Sequence, residues 1–227
     1  MRVAGAWKRW GWIGVAAGLC TAVHAEDLPA AEPLVPAAWA QRAALTPDAR
    51  TTFDWIQSSD DAGRKPFAIV DKKQARVFVF HADGRLAGDS AALLGAGPGD
   101  HGTPDAAQRI ASLTPAERTT PAGRFASEPG HNLNGEAIVW VDYDTAIAIH
   151  RVRPGASRER RDQRLASATP TDNRVSLGCI VVPGAFYDSV VAPLLGRSRG
   201  VVYVLPETAQ PLLASLQPPA DRLVAGR

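Results

Sequence analysis

Apolar residues in the middle of this chain recur in short runs with the period of β-strands, and a few shorter stretches have helical spacing. Phe67-Ala68-Ile69-Val70 and Arg76-Val77-Phe78-Val79-Phe80 read as two strands, with Asp71-Lys72-Lys73-Gln74 as the turn between them. Asp83-Gly84 marks a hairpin before a further run from Arg85 to Leu94. Ala137–Val141 and Ala146–His150 are two strong strands joined by Asp142-Tyr143-Asp144, and Val201–Leu205 is a closing strand. Thr120-Pro121-Ala122-Gly123-Arg124-Phe125 reads as a turn feeding a strand. Between these runs, Gly95–Pro104 and Glu128–Asn134 carry the Gly, Pro, Asn and Asp of loops, and Ile110–Thr120 reads as a short helix or a mobile segment. The glycine-rich loop lacks the spacing of a phosphate loop, and its His101 reads as solvated. Helical spacing covers Ala37–Leu45 and a run opened by Thr46-Pro47-Asp48, which supplies a capping Thr, a first-turn Pro and an acid. A third run, Ala185–Leu195, puts Phe186, Val190, Val191 and Leu194 at helical intervals. The pattern predicts a mainly β fold with a few short helices, a sandwich or barrel.

At 227 residues and 45% hydrophobic, the chain is long enough for one sizeable core plus an appendage. A formal net charge of +2 gives no case for a nucleic-acid partner. The first 25 residues read as a secretory signal peptide: Arg2, Lys8 and Arg9 precede an apolar run, Trp10–Ala22, and Val23-His24-Ala25 fits a cleavage site. The apolar run is short for a membrane span, so no stable membrane insertion is expected after cleavage; an uncleaved anchor is the other reading. Cys20 lies in the signal, where Gly18-Leu19 before it makes a poor lipid-attachment box. The expected organisation is signal peptide 1–25, leader and helical preface 26–62, main domain 65–206 and tail 207–227, in a periplasmic protein.

Cleavage would leave Cys179 without a disulfide partner in its own chain, in a compartment where structural cysteines are paired. Such a thiol is inert in a core, pairs with another molecule, or is a nucleophile. A thiol with a pKa of about 8.5 is only a few per cent thiolate at pH 7 and needs a base or a cation beside it. His150, ending a strand, is placed rigidly enough to be that base. Gly178 permits a tight turn that could aim its own amide and that of Cys179 at a developing oxyanion. Between the two lies an arginine-rich segment, Arg151–Asn173, which reads either as a solvated surface or as a basic lip for carboxylates.

Thr120-Pro121-Ala122-Gly123-Arg124-Phe125, the strand ending in His150, and Ser176-Leu177-Gly178-Cys179-Ile180 together resemble the L,D-transpeptidase catalytic domain (YkuD-type) family, from about Lys65 to Leu205. The resemblance implies a sandwich of mixed sheets, a Cys179 nucleophile and a His150 base. It implies peptidoglycan stem peptides as substrate and neither metal nor organic cofactor. Gly178 and Ser176 fall in the catalytic box, and Arg174 and Arg151 are the expected substrate-binding cations. The chain departs from the family at Leu177, where a second histidine is usual, and at Val181, where Asn or Arg is usual. It also separates His150 from Cys179 by a longer segment. The other readings are a non-catalytic cell-wall binder with the same fold, and a thiol hydrolase or amidotransferase acting on small amides.

Overall fold

Strand β1 (Phe67–Asp71) and β2 (Arg76–Phe80) form where β-branched and aromatic residues alternate, and they pair antiparallel from Phe67↔Phe80 to Asp71↔Arg76. The remaining strands are β3 (Leu86–Ala91), β4 (Leu94–Gly95), β5 (Gly123–His131), β6 (Ala137–Asp142), β7 (Ile147–Arg151), β8 (Arg174–Ser176), β9 (Ile180–Val182) and β10 (Gly200–Val204). The computed structural model describes residues 37–155 and 157–207. The signal peptide and most of the leader and tail expected from the sequence therefore lie outside the described residues.

Eight strands form one mixed sheet in the order β3-β2-β1-β10-β5-β6-β7-β9, and β4 pairs with β8 separately. Two pairings in the large sheet are parallel, β1 with β10 and β7 with β9. β5 is the corner strand: Gly123–Ser127 pairs with β10, and Glu128–His131 pairs with β6. One face of both halves meets in a single buried cluster. Val70, Val77, Val202 and Val204 come from the first half, and Val139, Ile147, Ile149, Ile180 and Val182 from the second. Tyr187, Val191 and Leu195, from the helical stretch after β9, fill the same cluster. The mainly β expectation, with mixed sheets and few helices, holds.

The outer face of β1, β2 and β10 is covered by helix α2 (Pro47–Ser59), which follows α1 (Ala37–Ala44). Thr46 caps α2 by accepting from the Ala49 N–H at 3.3 Å, and its own hydroxyl donates to Asp71 Oδ2 at 2.6 Å, tying the helix to β1. Phe53 stacks on Phe80 at 5.0 Å and Phe80 on Phe67 at 4.6 Å. Each fully buried phenylalanine contributes about 1.5–3 kcal/mol to this interface. The preface docks on the domain, as its apolar face requires.

Two details depart from the sequence pattern. Glu128–Asn134 is not a loop throughout, because β5 continues to His131. The run Arg85–Leu94 divides into β3 and β4. Ile110–Thr120 contains short helical turns at Ile110–Ser112 and Pro115–Glu117, in line with its helical reading.

Candidate active site

The β7–β9 pair sets the frame of the site. Ile149 lies beside Ile180 and His150 beside Val181, in parallel register. Ile149, Ile180 and Val182 point into the core. Strand alternation therefore puts Ala148, His150 and Val181 on the outer face. Cys179 immediately precedes β9 and continues that face. His150 and Cys179 are thus on one side of two neighbouring strands, offset by one pleat repeat, about 6.6 Å along the strand.

Cys179 is half-buried, and it is the free cysteine of the described residues. Its sulfur lies 3.5 Å from the Ala146 carbonyl in the β6–β7 turn. Burial pushes the thiol above its ordinary range, while the Ala148 amide and the Arg153 charge pull the other way. His150 places Nδ1 at 2.7 Å from the Arg151 carbonyl. An imidazole meeting a carbonyl there carries its proton on Nδ1, which leaves the Nε2 lone pair free to accept. Burial holds His150 below its ordinary pKa; the Arg151 carbonyl opposes this, and the Arg153 and Arg161 charges add to it. The balance of these effects favours the uncharged ring.

The turn before the thiol is held at each polar group of Gly178. Ser176, itself buried, donates its hydroxyl to the Cys179 carbonyl at 2.7 Å and accepts from the Gly178 N–H at 3.1 Å. Thr120 donates to the Gly178 carbonyl at 2.7 Å. Gly178 adopts φ +131°, and a Cβ there would stand 2.7 Å from Ile147 Cδ1 and 2.8 Å from the Thr119 carbonyl oxygen. Glycine is required both by conformation and by space. Of the two amides expected to face an oxyanion, that of Gly178 is already taken by Ser176, which leaves that of Cys179.

The two expected substrate-binding cations are engaged elsewhere. Arg151 stacks its guanidinium 4.2 Å from the Tyr187 ring centroid and pairs with Asp188, and Tyr187 belongs to the core side of the sheet. Its carbonyl is the group that meets His150 Nδ1. Arg174 pairs with Glu207 at 2.7 Å and reaches the Gly95 and Lys72 carbonyls at 3.4 Å. Its guanidinium belongs to a buried network beneath the turn. Within that network the fully buried Lys72 donates to Gly99 O at 2.6 Å, Asp100 Oδ1 at 2.8 Å and Thr120 O at 2.8 Å, and lies 3.3 Å from Glu207 Oε1. Among the arginines of this segment it is the charge of Arg153, paired with Glu136 at 2.7 Å, that favours the thiolate. Pattern reading missed Arg153 because it was one arginine among several in a charge run. It missed Lys72 because that residue read as part of a turn, and it gave Thr120 no role beyond its place in the Thr120–Phe125 motif. Leu177 is exposed, and Val181 is buried, bonded through its backbone to Leu93 at 2.7 and 2.9 Å. Among the described residues no group of three or more His, Cys, Asp and Glu is arranged to hold a metal ion, and no helix is long and apolar enough to cross a membrane.

No protein-family profile and no curated protein matches the sequence. Solved structures similar to it include the catalytic domain of an E. faecium L,D-transpeptidase, 20% identical, over 62% of this chain and 97% of that one, with a TM-score of 0.35. The helical cell shape determining protein Pgp2 from Campylobacter jejuni is 15% identical over 67% of this chain and 54% of its own, with a TM-score of 0.42. The L,D-transpeptidase LdtMt1 in complex with imipenem is 15% identical over 62% and 58%, with a TM-score of 0.35. The chain spans little more than half the length of the last two. Likenesses of this size leave the chemistry to be argued from the chain's own residues.

Proposed function

We propose that this chain is an exported cysteine acyltransferase that acts on peptidoglycan stem peptides, as an L,D-transpeptidase, an L,D-carboxypeptidase or both, through a thioester on Cys179. The observation that carries the reading is the placement of Cys179 and His150 on one face of the β7–β9 pair, with the His150 Nδ1 tied to the Arg151 carbonyl. The residues that resemble the L,D-transpeptidase family supply the substrate class. His150 Nε2 takes the thiol proton, and the sulfur adds to the stem-peptide carbonyl carbon. The carbonyl electron pair moves onto oxygen, where the Cys179 N–H meets it. Collapse breaks the C–N bond, and the leaving amine of the terminal residue takes the proton from His150. An amine or water then attacks the thioester and restores the thiol. Gly178 and Ser176 shape the turn. Neither a metal nor an organic cofactor enters these steps.

Mature protein incubated with tetrapeptide-stem muropeptides should release the terminal D-alanine or form new cross-links, read by mass spectrometry. Cys179→Ala should abolish both. Equal turnover by wild type and Cys179→Ala would contradict the mechanism.

One observation favours a second reading, a cell-wall binder of the same fold with little chemistry. Burial disfavours the charged form of both members of the pair, and Leu177 offers no hydrogen bond where the family has its second histidine. Acyl-adduct formation with a carbapenem separates the two: an activated Cys179 acquires the adduct, and a binder does not.

A further inference from the structure

We infer that Thr120 is a positioning residue that aims the Cys179 N–H at the oxyanion of acyl transfer, an inference that rests on the acyltransferase reading above. Thr120 is fully buried, and its hydroxyl has one proton. The Gly95 N–H donates to Thr120 Oγ1 at 2.9 Å, so the hydroxyl proton is free to go to the Gly178 carbonyl, 2.7 Å away. Thr120 therefore grips the oxygen of the Gly178–Cys179 peptide. In a trans peptide the N–H points opposite to the C=O, so holding the oxygen on the Thr120 side turns the Cys179 N–H to the other side. Ser176 blocks the alternative twist by holding the Gly178 N–H and the Cys179 carbonyl. Positive φ makes Gly178 the one residue of the turn that could otherwise swing.

Thr120 is itself immobilised from behind. Its carbonyl accepts from the Lys72 ammonium at 2.8 Å, and that ammonium is fixed by Gly99, Asp100 and Glu207. The preceding Thr119 carbonyl fills the space where a Gly178 side chain would stand. The chain of contacts runs from a buried cation through Thr120 to one backbone plane, and that plane carries the amide left to the oxyanion. Thr120 does not reach the substrate.

Two reactions of the same sulfur separate positioning from general damage. Acylation by p-nitrophenyl acetate passes through an oxyanion; alkylation by iodoacetamide is a direct displacement without one. Thr120→Val keeps the shape and removes the hydroxyl. It should slow acylation about 10–100-fold, since misaiming one donor costs up to what deleting it costs. Alkylation should stay within about threefold, and Thr120→Ser should restore acylation to within about threefold, because Val and Ser differ in the donor the oxyanion step relies on. Circular dichroism and melting curves check that each variant is folded; where valine does not fold, Thr120→Ala removes the same hydroxyl without the extra methyl. Acylation at the wild-type rate in a folded Thr120→Val or Thr120→Ala overturns the role, as does an equal fall in acylation and alkylation. A wild-type protein that is acylated by neither the ester nor muropeptides overturns the acyltransferase reading, and this role with it.

Discussion

Replacing Lys72 with methionine tests how much of the fold hangs on one buried ammonium. The side chain is wholly inaccessible to solvent. It donates to the Gly99 and Thr120 carbonyls and to Asp100 Oδ1, and stands 3.3 Å from Glu207 Oε1. Methionine fills a similar volume, so the packing term is small. The electrostatic term is not: removing one partner of a buried ion pair costs about 3–5 kcal/mol, because the other charge loses its compensation. Two carbonyls also lose their shared donor, while Arg174 stays paired with Glu207. Taken against a typical domain stability of about 5–15 kcal/mol, the expected loss of about 3–5 kcal/mol is a large fraction of the whole. For a domain of this size it corresponds to a melting temperature lower by about 6–20 °C. Urea and thermal unfolding of wild type and Lys72→Met, followed by circular dichroism, measure it. A loss below about 1 kcal/mol would refute the reasoning, because that is the range of surface substitutions.

Gly178→Ala forces a side chain into a positive-φ turn and against the Thr119 carbonyl oxygen, so it should lose on the order of 2–4 kcal/mol of stability together with acylation; calorimetry and adduct formation check both. The pH dependence of Cys179 alkylation follows from the charges around it. Burial raises the thiol, so its rate should climb with pH beyond neutrality. Arg153 favours the thiolate; Arg153→Gln therefore moves the midpoint further alkaline and lowers the rate at pH 7, with convergence at high pH. A midpoint that stays or moves toward acid contradicts the placement of Arg153.

The strands that build the frame were legible because each is a short apolar run bounded by turn residues: β1, β2, β6 and β7 follow those runs almost residue for residue. β5 was not, since Pro129, Gly130 and Asn132 carry the signature of a turn. The reason Gly130 is tolerated in a strand is Trp140 on β6, whose Cδ1 would lie 2.5 Å from any Cβ at that position. That contact joins residues of different strands and leaves no local trace. Lys72 is the same kind of case. Asp71-Lys72-Lys73-Gln74 has the composition of a solvated turn, and Lys73 does pair with Asp48 at the surface. Its neighbour is buried only because Gly99, Asp100, Thr120 and Glu207 converge on it from distant parts of the chain. Cys179 and His150 stood out because their types carry chemistry and their flanks resemble a known box. The arginines could not be sorted by sequence, because what each guanidinium meets, Asp188 and Tyr187 for Arg151, Glu136 for Arg153 and Glu207 for Arg174, comes from distant parts of the chain. Glu207, assigned to a tail by composition, belongs to the buried network.

The central claim is that Cys179, with His150 as its base, takes an acyl group from a stem peptide. Intact-protein mass spectrometry of wild type mixed with a tetrapeptide stem, quenched in acid within seconds, tests it most directly. The protein should gain a mass equal to the stem minus its terminal D-alanine, mapped to Cys179, absent in Cys179→Ala and strongly reduced in His150→Ala. Release of D-alanine with no adduct on Cys179, or an adduct that forms equally well without His150, would contradict it.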